Sequence, residues 1–267
     1  MSGSDTVFAG SIPATYQRYM VPLIFGPYAE LAAERARALR PSRILETAAG
    51  TGVLTEELHR VFPHAEILAT DLNQPMLDEA AGRRLSNVTF VQADALHLPF
   101  EDASFDLVAC QFGAMFFPDK VKAHAEAHRL LRDGGTYLLL IWDGIERNLA
   151  TRIAGRAVAD LFPENSAAFY ERVPFRYSDT ARIEEDLRAA GFARIQIETV
   201  ELRSRAASAR DAAIALTQGT PMRSEIEKGG NGALSAATEA AEAALRQFEG
   251  AAGFDAPMSA HVVTVTK

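Results

Sequence analysis

The chain predicts a doubly wound α/β fold, a mostly parallel seven-stranded sheet whose last strand is antiparallel, with added helical lid segments. Three observations predict it. Between Pro41 and Trp142 short apolar runs alternate with longer amphipathic ones. The first of these runs opens directly into a small-residue stretch, Ile44-Leu45-Glu46-Thr47-Ala48-Ala49-Gly50-Thr51-Gly52. Two late segments, ARIQIETVELRS and MSAHVVTVTK, add strands on either side of an Ala-rich helical stretch. Strand and helix alternating at this spacing give a parallel sheet entered through right-handed crossovers, with helices on both faces.

Taken in order, SRILET is the first strand, GVLTEELHRVF a helix, AEILATD the second strand, and QPMLDEAAGRRL a helix with Pro75 in its first turn. NVTFVQAD and SFDLVACQF are the third and fourth strands, DKVKAHAEAHRLL a helix, and GTYLLLIW the fifth strand. Upstream, PYAELAAERARAL is a helix opened by Pro27, while PATYQRYMVPLIFGPY is too broken for a regular helix and too apolar for a frayed tail, so it is expected to cover something. Downstream, residues 143–177 form irregular helix, and SDTARIEEDLRAAGF is a helix capped by Ser178 or Asp179 and stopped at Gly191. The expected organisation is a single domain, 1–267. It consists of an N-terminal lid and helix (1–40), a cofactor-binding core (41–142), a helical insertion (143–177), and a C-terminal part of the sheet (178–267) interrupted by helices over 204–257.

Composition sets limits on function. With 267 residues, 48% hydrophobic and 23% charged, the chain can bury a core without disulfides or a structural metal. The one cysteine, Cys110, excludes an internal disulfide and sits in an apolar run that suits a core position. The N-terminus shows no basic start followed by an apolar run, and YLLLIW is far too short to span a bilayer, so a cytoplasmic protein without a membrane span is expected. A net charge of -8 with scattered Lys and Arg argues against nucleic acid as partner. His124 and His128 share a helix face in HAEAH, but Ala125 stands where a zinc-protease pattern needs Glu, so no metal site is expected. His59 and His97 are expected to be exposed.

Small residues after a buried strand admit a ligand close to the main chain, and a helix start adds its positive dipole end. A dinucleotide fingerprint would want a third small residue where Thr55 stands. What the stretch offers instead is an acid followed by small residues at every second position: Glu46, Ala48, Gly50, Gly52. In this it resembles the class I S-adenosylmethionine-dependent methyltransferases, with their D/E-x-G-x-G-x-G first motif, and is most similar to the small-molecule type that includes the ubiquinone and menaquinone biosynthesis enzymes. The resemblance runs from about residue 40 to 142 and continues through ATDLNQPML, VQADALHLPF, FDLVACQFGAMFFPD and EAHRLLRDGGTYLLL.

The resemblance implies S-adenosyl-L-methionine as cofactor and S-adenosyl-L-homocysteine as product. It implies that Asp71 takes the ribose hydroxyls, that Asp94 lies by the adenine amine, and that Glu46, Thr47, Ala48, Gly50, Thr51, Gly52, Leu72, Met76 and Ala95 complete the cofactor site. Gln111, Phe112 and Phe116 are expected to frame the methionine end and an apolar acceptor. Ala48 replaces the usual glycine, and its methyl is expected to be accommodated by a negative φ. Glu46, Asp71 and Asp94 at three successive strand ends stand where open α/β sheets bind ligands. The fourth-strand loop CQFGAMFF lacks the Asn/Asp-Pro-Pro-aromatic pattern of base-amine methylation. Tyr16 and Tyr19 are expected as lid residues near the cofactor sulfur. Tyr16, Phe25, Trp142, Phe169 and Phe175 are expected to line a pocket for a small, apolar or aromatic methyl acceptor. Methyl transfer by in-line displacement needs no fixed catalytic triad, so no catalytic residue is singled out. Two other readings stay open: a non-catalytic module binding the same cofactor, and an NAD(P)-dependent oxidoreductase, which Thr55 disfavours.

Overall fold

The computed structural model describes residues 7–162 and 169–267. Its residues group into two compact units, one of Tyr28–Trp142, Tyr177–Val200 and Ala260–Lys267, the other of Met1–Pro27, Asp143–Arg176 and Glu201–Ser259.

The N-terminal segment departs from expectation. Helix α1 (Ile12–Thr15) passes into a π-helix over Tyr16–Phe25 and then α2 (Gly26–Ala36), so the stretch too broken for a regular helix is helical throughout. Pro22 inside it has no N–H to donate, and the wider turn is visible where the Gly26 N–H reaches back to the Val21 carbonyl.

From there the first unit alternates as the apolar pattern requires: β1 (Arg43–Thr47), α3 (Val53–Val61), β2 (Glu66–Asp71), α4 (Gln74–Ala81), β3 (Val88–Gln92), β4 (Phe105–Gln111), α5 (Lys120–Leu130) and β5 (Leu131–Trp142). Strands β1, β2, β3, β4 and β5 pair in parallel, with Leu45 beside Leu68 and Val108. The side chains of β1, β2, β4 and the latter part of β5 are buried on both faces, which is why these strands are runs rich in Ile, Leu, Val and Ala, whereas β3 is half-buried to exposed along its length. Before β1, the Asp106 carboxylate accepts from the Ser42 and Arg43 N–H groups at 2.8 and 2.9 Å and ties the starts of β1 and β4 together.

After α6 (Leu149–Leu161), α7 (Phe169–Arg172) and α8 (Thr180–Ala189) come β6 (Arg194–Ala206), α9 (Ala209–Gln218), α10 (Met222–Glu227), α11 (Ala233–Leu245), the two-residue β7 (Glu249–Gly250) and β8 (Gly253–Thr266). The sheet order is β3-β2-β1-β4-β5-β8-β6, with β7 on β8. β8 runs antiparallel to β5, from Thr136 opposite Thr266 to Trp142 opposite Ala260. The helical part between the late strands is shorter than 204–257, because β6 continues to Ala206 and β8 begins at Gly253. Asp179 caps α8 through the Ala181 N–H.

In the second unit, α11 buries Ala233, Ala237, Ala241 and Leu245, a stripe of four-residue steps, and α9 buries Ala209, Ala212, Ala213 and Leu216. Small residues on both let these helices pack closely, and the buried hydroxyls of Thr217 and Thr238 bond across at 3.0 Å. The buried Asn148 amide donates to the carbonyls of Asp143, Gly144 and Ser259 and accepts from the Ser259 N–H, which fixes the start of α6.

Among the described residues no helix is long and apolar enough to cross a membrane.

Candidate functional site

The loop between β1 and α3 is shaped by three left-handed residues, Ala48 (φ 54°), Gly50 (φ 57°) and Gly52 (φ 77°). Gly52 is required twice: its φ disfavours a side chain, and a Cβ there would lie 3.1 Å from that of Ala80 on α4. Ala48 overturns the expected negative φ. The turn demands the left-handed conformation, and the methyl is accepted because the facing residue, Gly113, has none; a Cβ on Gly113 would lie 2.3 Å from that of Ala48.

Around this loop the first two strand-end acids are held rigidly. Asp71, 8% exposed, accepts from the Gly50 N–H at 2.9 Å and from the Asn73 N–H at 2.8 Å. Burial pushes its carboxyl up, and these hydrogen bonds pull it the other way. Glu46 lies inside β1, 1% exposed, with its Oε2 accepting from the Thr55 hydroxyl at 2.6 Å. Burial pushes its carboxyl up to about 8; the Thr55 hydrogen bond opposes this and the negative charge of Asp71 adds to it. The Arg83 guanidinium, the cation nearest in effect, is committed to the Thr51 carbonyl at 2.8 Å and to Glu56. The Thr51 hydroxyl oxygen is buried without a partner.

The third acid, Asp94, lies exposed after β3, where its carboxylate accepts from the Leu96 N–H at 2.9 Å, with Ala95 half-buried beside it. Leu72, directly after Asp71, is 54% exposed, while Met76 on α4 is buried.

Past β4, Phe112 also takes a left-handed backbone (φ 54°) and stacks on Trp142 with ring centroids 3.7 Å apart and planes 6° from parallel. Tyr28 meets both rings edge-on, at 5.4 and 5.7 Å. Gln111 is buried and Phe116 half-buried.

Residues 44–135 match the family described as "Methyltransferase domain". This segment is similar to that family. The chain is 43% identical over 112 residues to the demethylmenaquinone methyltransferase of Deinococcus radiodurans, an alignment covering 41% of this chain and 46% of that protein. Over 103 residues it is 41% identical to a ubiquinone/menaquinone biosynthesis C-methyltransferase of Hahella chejuensis, covering 36% of this chain and 41% of that one. The chain thus spans about half the length of these curated relatives. The fold as a whole is similar to the YcgJ protein of Bacillus subtilis, with a TM-score of 0.58 at 18% identity, covering 90% of this chain and 98% of that one.

The matched segment brings together Glu46, Thr47, Ala48, Gly50, Thr51, Gly52, Asp71, Leu72 and Met76 at the β1 and β2 ends, with Gln111 and Phe112 at the end of the neighbouring β4. Tyr16, Tyr19, Phe25, Phe169 and Phe175 belong to the other compact unit. There Tyr16 stacks on Phe25 at 4.9 Å, and Phe169 and Phe175 are buried on either side of Tyr170 in sequence. Four residues escaped the sequence reading: Thr55, Asn73, Arg83 and Gly113. Thr55 carries a signal, since the first turn of α3 follows directly from the loop, although in the sequence it stands out only as a departure from a dinucleotide pattern. Asn73 acts locally, on Asp71 two residues before it, whereas Arg83 and Gly113 act through residues far off in sequence.

Two histidine expectations change or sharpen. His59 is half-buried rather than exposed, because α3 lays its last turn against the sheet. His124 is fully buried, its two ring nitrogens 3.3 Å from the hydroxyls of Tyr137 and Tyr177, whereas His128 packs on Phe192. Among the described residues no group of three or more His, Cys, Asp or Glu is placed to hold a metal ion.

Proposed function

We propose that this protein transfers a methyl group from S-adenosyl-L-methionine to a small, apolar or aromatic acceptor. The observation that carries this reading is the pair of buried acids, Glu46 and Asp71, set against a left-handed small-residue loop with their nearest guanidinium engaged elsewhere. A ligand for such a place must bring positive charge and hydroxyl donors. S-adenosylmethionine carries a sulfonium, an ammonium and a ribose diol, whereas the pyrophosphate of a nicotinamide dinucleotide would bring only further negative charge to a pair of buried acids. The residues present fit the first and not the second.

The sulfonium supplies a methyl carbon already bonded to a good leaving group, so the protein's task is alignment and exclusion of water. Asp71, its oxygens held in place by Gly50 and Asn73, is positioned as an acceptor for a diol. Asp94 and exposed Leu72 remain assigned to the adenine side, and Gln111, Phe112 and Phe116 to the methionine end. Tyr16, Tyr19, Phe25, Trp142, Phe169 and Phe175 remain assigned to lid and acceptor handling.

Calorimetric titration decides the cofactor. S-adenosylhomocysteine should bind wild type, bind Asp71→Ala at least ~10-fold more weakly, and leave NADH without measurable binding; a preference for NADH overturns the reading. The acceptor class draws support from the relatives, whose names refer to menaquinone and ubiquinone intermediates. With methyl-labelled cofactor, label should pass to hydroquinone-type aromatic acceptors and not to polar amines, and Tyr16→Phe and Tyr19→Phe should lower turnover. Label found in amines alone would refute the apolar acceptor.

A further inference from the structure

The Glu46–Thr55 contact has no counterpart in a merely structural account of the loop, since a buried Val–Leu pair would close β1 against α3 without a carboxyl. Its surroundings are acidic or neutral on nearly every side: Asp71 from β2, Cys110 from β4, the Thr55 hydroxyl from α3, and Arg83, after α4, as the cation acting on it. Arg83 is already divided between Thr51 and Glu56. Two carboxylates this deeply buried cannot both stay ionised without a countercharge.

We propose that Thr55 is a positioning residue for Glu46, and that Glu46 gives up its proton to solvent as the cationic methyl donor enters, so that this carboxyl reads the charge of the bound cofactor. The proposal rests on the methyl-donor reading above. The proton balance is simple: one proton leaves the Glu46 carboxyl for buffer, and the carboxylate left behind is compensated by the ligand's positive charge. In the ligand-free protein burial keeps the group protonated near neutral pH, in keeping with its upward displacement to about 8. After methyl transfer the sulfonium has become a neutral thioether. One of the charges that stabilised the Glu46 carboxylate is gone, and reprotonation then favours release of the product. The Thr55 hydroxyl, bonded to Oε2, stabilises the ionised form and holds the carboxyl in place.

The test is titration calorimetry with S-adenosylmethionine and with S-adenosylhomocysteine at pH 7, in buffers of different ionisation enthalpy. It is paired with infrared difference spectra that follow the carbonyl stretch of a protonated carboxylic acid. Wild type should release close to one proton on binding the donor, a smaller fraction on binding the product, and lose a carboxylic-acid band as the ligand enters. Glu46→Gln should show neither the release nor the band. The ligand's own ammonium titrates equally against both proteins, so their difference isolates Glu46. Thr55→Val should weaken donor binding by roughly tenfold while keeping the proton release, and Thr55→Ser should restore affinity. Equal proton release by wild type and Glu46→Gln, or a band that persists in the variant, overturns the proposal while leaving the cofactor assignment standing. Failure of wild type to bind either ligand overturns both.

Discussion

Ala48 and Gly113 show how one residue's conformation is borrowed from another. A left-handed backbone costs an L-residue with a Cβ about 1–2 kcal/mol, and Ala48 sustains it because Gly113 leaves the space its methyl occupies. Gly113→Ala places two Cβ atoms 2.3 Å apart and makes a second close contact, with the Cys110 Sγ, at 3.0 Å. It should destabilise the protein by ~1–3 kcal/mol. Ala48→Gly alone should be neutral or stabilising by up to ~1 kcal/mol, since the relieved strain is partly offset by the freedom glycine gains in the unfolded chain. The double variant should lose less than the sum, a coupling that a denaturant double-mutant cycle reads directly. Additive effects would mean that the two residues do not meet.

His124 joins α5 to Tyr137 of β5 and to Tyr177 ahead of α8. Burial, with a smaller contribution from Lys120, holds its imidazole down at about 3, against an ordinary value of 6.5. The unfolded chain therefore binds one more proton than the folded one between those two values. The stability His124 allows is whole above about pH 6.5 and falls by ~1.4 kcal/mol per pH unit below it. Melting temperature should drop between pH 6.5 and 5, and His124→Gln should flatten that acid limb; an unchanged limb would assign it to other groups. In the second unit, Asn148→Ala removes three donated hydrogen bonds and one accepted bond around the start of α6. A cost of ~2–4 kcal/mol follows from the buried partners left unsatisfied, to be measured by urea denaturation. A loss below ~0.5 kcal/mol would show that water replaces the amide.

β6 and β8 contribute residues to both compact units, and we propose that the chain melts as the single domain its sequence suggests, in one transition. A hundredfold excess of S-adenosylhomocysteine over its dissociation constant should stabilise the fold by ~2.7 kcal/mol, a rise of roughly 5–10 °C for a chain of this size, with no shift from NADH. Two transitions, only one of them moved by ligand, would separate the units.

The doubly wound sheet was legible because periodicity is local: β1, β2, β4 and most of β5 are buried on both faces and read as apolar runs, half-exposed β3 as a short β-branched and aromatic run, and each crossover helix as an amphipathic one. Glu46, Asp71 and Asp94 could be placed at strand ends for the same reason. What depended on the folded chain was everything set by residues far apart in sequence. The left-handed Ala48 needs Gly113 opposite it; the raised Glu46 carboxyl needs burial and the charge of Asp71; the neutral His124 needs burial between α5, β5 and the Tyr177 segment. The helical N-terminal segment lay outside reach because its π-turn around Pro22 breaks the 3.6-residue period by which helices are read. Periodicity is written in neighbouring residues, whereas burial, and with it charge state and strain, is a sum over residues that only folding brings together.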